Sequence, residues 1–144
     1  MNFHEKSNMA MLAIMIVVYG IYFGQALLSI VSAGVPPAEA LAATNALMVV
    51  TVGAVTVLAI IAHIIIAVLA PSEADDARDE RDKLMEMRGD QRGGVVMTIF
   101  ALGALLIAML DMPAYLIANT VLAGLVASEI VKGVSKMIGY RRGV

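Results

Sequence analysis

Apolar residues fill four long blocks of this chain, at about residues 9–31, 41–69, 95–110 and 114–131. A helix needs roughly 20 apolar residues to cross the hydrocarbon core of a bilayer. The first two blocks exceed that length. The third is shorter and reaches it with Gly93, Gly94 and Asp111 near the interfaces. The fourth reaches it if the Lys132 stem extends to the headgroups. The first block is also longer than the 7–15 apolar residues of a signal peptide, so it reads as a span. The pattern predicts an all-α protein: an integral-membrane four-helix bundle forming one domain over residues 1–144.

The interruptions between blocks carry turn chemistry. Gly34, Pro36 and Pro37 break the chain after the first block, and Pro71 ends the second. Ser72 is placed to cap a further helix, with Asp75 and Asp76 in its first turn. Residues 73–88 have helical charge spacing, such as Asp79 with Lys83 and Arg78 with Asp82. Gly89, Gly93 and Gly94 are expected to loosen the chain before the third block, giving a charged loop over 71–93. Asp111 is expected to cap the fourth helix, and Pro113 fits its first turn.

Charge then orients the bundle. Lys6 precedes the first block. Arg78, Arg81, Lys83, Arg88 and Arg92 separate the second from the third, and Lys132, Lys136, Arg141 and Arg142 end the fourth. The gaps at 32–40 and 111–113 hold no Lys or Arg. Short basic loops stay in the cytoplasm, so both termini and the 71–93 loop are expected there, in a multi-pass protein of the cytoplasmic (inner) membrane. Composition agrees: 60% of the 144 residues are hydrophobic, 15% are charged, and mean hydropathy is +0.87. The absence of cysteine excludes disulfides and thiolate metal sites, and a net charge of −2 gives no reason to expect a nucleic-acid partner. The 11 methionines read as adaptable packing groups rather than a copper site.

Polar residues inside apolar blocks are candidate functional groups. Asn45, Thr56 and His63 fall within about 20° of one helical line with Val52. The line reads either as a pathway with His63 as a relay or as hydrogen bonding between packed helices. Gly20 and Gly24 form a Gly-x-x-x-Gly face, and Thr120, Gly124 and Ser128 a second small-residue face, both suited to close helix packing. Glu129 lies three residues before Lys132, a spacing that favours an interfacial ion pair. Residues 73–92 hold eight acids and five bases without the ligand order of an EF-hand. Within this stretch Asp79, Glu80, Arg81, Asp82 and Arg88 offer a docking surface for a partner, or simply a solvated face.

The run Asp79-Glu80-Arg81-Asp82-Lys83-Leu84-Met85-Glu86-Met87-Arg88-Gly89-Asp90-Gln91-Arg92 resembles the cytoplasmic signature of a family of small prokaryotic multi-span membrane proteins of unknown function. Glu129-Ile130-Val131-Lys132 and the tail Tyr140-Arg141-Arg142-Gly143 resemble the ends of such proteins. The resemblance covers residues 75–143 and implies a multi-span cytoplasmic-membrane protein. It brings no catalytic residue with it.

No metal-ligand cluster, phosphate loop or nucleophile–base spacing appears in the sequence, so neither an enzyme nor a cofactor is expected. Small four-span exporters carry a glutamate in the first span, where this chain has Gln25, which cannot titrate. The expectation is a non-enzymatic assembly or accessory subunit in the lipid bilayer, as a homo-oligomer or within a larger membrane complex. The alternative is a small oligomeric transporter or channel for an ion or small solute.

Overall fold

A computed structural model describes residues 3–26, 28, 34–69 and 80–142, the side chains of residues 3, 4, 81 and 142 apart. These residues form four helices: α1 (Phe3–Gln25), α2 (Pro37–Leu69), α3 (Glu80–Met109) and α4 (Ala114–Arg142). Each is long and apolar enough to cross a membrane. The result is an all-helical, multi-pass architecture. Residues 70–79, with Ser72, Asp75, Asp76, Arg78 and Asp79, lie outside the described part.

Local chemistry sets the ends. Gly34 has φ 64°, a left-handed turn that glycine takes without a Cβ penalty. Pro37 then occupies the first position of α2, and Ala40 N–H donates to Pro36 O at 2.9 Å. At the tight α3–α4 turn, Asp111 also has φ 53°. Its N–H donates to Ala108 O and that of Met112 to Ile107 O, the paired bonds of a Schellman C-cap. The expected role of Asp111 as a cap for the fourth helix is therefore corrected. It terminates α3 instead, because the short connection requires a left-handed residue there.

The charged region also differs from expectation. From Glu80 onward it is the opening of α3, which continues through Gly89, Gly93 and Gly94 without a break. Packing on α4 explains the continuity. A Cβ on Gly93 would sit 2.6 Å from Lys132 Cγ and 3.0 Å from Ser128 O; one on Gly89 would sit 3.3 Å from Lys132 O. Glycine here admits a neighbouring helix, and that gain outweighs its poor helix propensity. Residues 80–88 are helical, as their charge spacing predicts, and the expected loosening at Gly89, Gly93 and Gly94 is what the structure corrects.

The four helices are not equivalent. α1, α2 and α4 pack against one another, whereas α3 packs chiefly on α4. Met15, Tyr19, Tyr22, Ala26, Val55, Leu122 and Val126 form the core between the first three. Only a narrow strip of α2 faces inward: Ala40, Thr44, Thr51 and Val55. Thr44 and Thr51 return their hydroxyls to Ala40 O and Leu47 O of their own helix, so the strip is polar in composition but satisfied. Most of α2 is uncovered apolar surface, from Val49 to Leu69.

Candidate functional site

Polar contacts between helices gather at one end of the bundle. We call it the basic end, since Arg88, Arg92, Lys132 and Lys136 lie there. Ser7 of α1 meets His63 of α2, Oγ to Nε2 2.8 Å. His63 Nδ1 lies 2.7 Å from Ala59 O, and a carbonyl only accepts, so Nδ1 carries a proton. In the neutral ring Nε2 is then the acceptor for the Ser7 hydroxyl. Asn8 donates its amide to Gly133 O of α4 at 2.9 Å. Between α3 and α4, Lys132 Nζ reaches Glu129 at 2.9 Å and Asp90 at 3.6 Å, and Lys136 reaches Glu86 at 3.5 Å.

These groups surround a cavity of about 240 Å³ to which every helix contributes: Ser7, Asn8 and Met11, then His63, then Asp82 and Glu86, then Glu129, Lys136 and Tyr140. The hydrogen bond to Glu129 is the main cause holding Lys132 above its ordinary pKa; burial opposes it and Asp90 adds to it. Burial, then the neighbouring Asp82 that accepts its hydrogen bond, pushes the Tyr140 phenol up. Among the described residues, no group of three or more His, Asp or Glu side chains is placed to hold a metal ion.

Ser7 and His63 have the spacing of a nucleophile and its base. The setting does not suit acyl transfer. Asp82, Glu86 and Glu129 share the cavity and would oppose a developing oxyanion rather than stabilise it. The Asn8 amide that could donate there is held by Gly133 O. The pair is a clamp between two helices.

The residues singled out from sequence separate in space. Asn45, Val52, Thr56 and His63 do share a line, but it faces outward and all four are exposed. Thr56 bonds back to Val52 O at 2.8 Å. The line ends at the contact of His63 with Ser7, and the neighbouring strip of Thr44, Thr51 and Val55 is the one that packs within the chain. Thr120, Gly124 and Ser128 face α3, with Gly124 against Phe100 and Met97, and Thr120 against Gly103. Around Gly20 and Gly24 the space is open, with nothing within 4 Å of a Cβ position. Glu80 begins α3, Asp82 reaches Tyr140, and Arg88 is exposed. Asp79 and the Arg81 side chain lie outside the described residues. Sequence reasoning missed Ser7, Asn8, Asp90 and Tyr140. Their only signal is position, as polar residues flanking an apolar block.

Levels across the bundle follow from these contacts. Ser7 beside His63 sets the register of α1 against α2 and brings Gln25 level with Asn45. From His63 to Asn45 the helix rises about 27 Å, and from Arg92 to Asp111 about 28 Å. Both match a hydrocarbon core of roughly 30 Å. No family model, curated protein or solved structure matches the chain.

Proposed function

We propose that the chain is a non-enzymatic integral subunit of the cytoplasmic membrane that works by assembling, with itself or within a larger membrane complex. Both termini and the charged opening of α3 face the cytoplasm, as the Lys and Arg distribution favours. The observation that carries the reading is the open face of α1. Gly20 and Gly24 have nothing within 4 Å although they are spaced for close helix approach. Isolation of the protein in mild detergent, with chemical crosslinking, tests it. A discrete oligomer or co-purifying subunits are expected, and Gly20→Leu or Gly24→Leu should remove them while insertion persists. A strictly monomeric, partner-free protein would refute it. Orientation is tested separately. A Cys placed at Val35 should react with an impermeant reagent from outside, and one at Gln91 should not.

The polar cavity favours a second reading, a small oligomeric transporter. Against it, Leu12, Met15, Tyr19 and Tyr22 are all buried along α1 beyond the cavity, so the described residues of one chain pack closed there. Flux through proteoliposomes that His63→Gln abolishes, with assembly intact, would establish transport in place of the accessory reading.

A further inference from the structure

The charges on α3 are sorted by side. Asp82, Glu86 and Asp90 point toward the cavity flank, where Tyr140, Lys136 and Lys132 meet them. Arg88 and Arg92 lie on the other flank. At 100° per residue Arg88 and Arg92 sit about 160° and 120° from Glu86, the centre of the carboxylate stripe. α4 contributes no carboxylate to that flank, since Glu129, its single acid, is on the cavity side. Glu80 is eight residues above Arg88, about 12 Å further from the membrane, and is already engaged.

The arginine flank continues downward as hydrocarbon. Arg88, Arg92, Val95, Ile99, Leu102 and Leu106 are spaced by four, three, four, three and four, within about 40° of one line. All six are exposed. Arg92 is the last charged residue before the apolar part of α3, one residue before Gly93 and its contact with Ser128. Ten residues separate it from Leu102, about 15 Å, which is the depth of one leaflet. Arg92 Nη1 donates to Ser135 Oγ at 3.3 Å, which draws the guanidinium over α4 and leaves its other N–H donors open.

We infer that this flank is a binding site for an anionic phospholipid. Arg88 and Arg92 hold the headgroup phosphate, and an acyl chain lies along Val95, Ile99 and Leu102. Charge complementarity selects the occupant: two arginines without a carboxylate partner among the described residues, at headgroup height, above one leaflet of aliphatic surface. Arginine suits the role because its planar fork meets phosphate oxygens in pairs.

The test uses the full chain in detergent, with phosphatidylglycerol and phosphatidylcholine added in equal amounts and bound lipid read by native mass spectrometry. Wild type should retain phosphatidylglycerol selectively. Arg88→Gln with Arg92→Gln should lower its apparent affinity about thirtyfold, at roughly 1 kcal/mol per basic residue. Lys83→Gln removes a single positive charge from the opposite side of α3 and should change it by much less than either arginine replaced alone. Helicity by circular dichroism confirms that the variants fold. Equal retention of both lipids, undiminished phosphatidylglycerol on the double variant, or an equal loss in Lys83→Gln each overturns the site. So does displacement by millimolar inorganic phosphate, because a phosphate site without the acyl contact is not a lipid site.

Discussion

Tyr22 on α1 donates its hydroxyl to Oδ1 of Asn119 on α4, 2.8 Å away, in a core where Tyr22 is 1% exposed. Asn119 passes its amide on to Tyr115 O at 2.7 Å. This is the polar tie between α1 and α4 remote from the basic end. It fixes the rotation of α1 and therefore turns Gly20 and Gly24 outward. Tyr22→Phe should cost about 0.6 kcal/mol of helix association, typical of such bonds in bilayers. A double-mutant cycle with Asn119→Leu, followed by denaturation in detergent, should give a coupling of that order. Strictly additive losses would show that the two residues act independently.

Glycines divide by what lies over them. Gly93→Ala should destabilise by about 1–3 kcal/mol, since the new methyl meets Lys132 and Ser128 O. Gly20→Ala meets nothing and should be neutral or mildly stabilising in the monomer, as alanine is the better helix former. Parallel thermal or detergent unfolding of the two variants checks the contrast.

Asp111 holds a left-handed conformation, φ 53°, that most side chains resist. Asp111→Gly should raise stability by up to about 1 kcal/mol, and Asp111→Val should lower it. A gain from Val would mean that the turn is not held in this form.

Tyr140 supplies a pH test. Burial first, and Asp82 second, raise its pKa above the ordinary 10.0. The folded state therefore favours the neutral phenol. That contribution is complete below pH 10 and is lost as pH rises through the raised value. Unfolding curves should show stability falling above pH 10, and Tyr140→Phe should flatten that part of the profile. An unchanged slope would remove Tyr140 as its source.

The apolar blocks made the four helices legible because length and hydropathy suffice for a bilayer. Details set by packing were less so. Gly89, Gly93 and Gly94 look like breakers until Lys132 and Ser128 are seen against two of them. The line through Asn45, Thr56 and His63 was correct as a line. Which side it faces depends on Thr44, Thr51 and Val55, whose modest size lets α2 approach α1. The cavity was hardest to foresee. Ser7 with His63 and Asn8 with Gly133 join residues 56 and 125 positions apart, and no local pattern announces such pairs.

The packing of α3 on α4 has a consequence in time. Those two helices are joined by a tight turn, so their contacts are local in sequence and can form as soon as both have been synthesised. α1 is made first, but Asn8 and Tyr22 find their partners at Gly133 and Asn119. Until the ribosome has delivered α4, the first helix waits in the bilayer with its amide and phenol unmatched and only α2 beside it. In this chain α1 and α2 can pair as they are made, but the ties of α1 to α4 close only once the last helix is present.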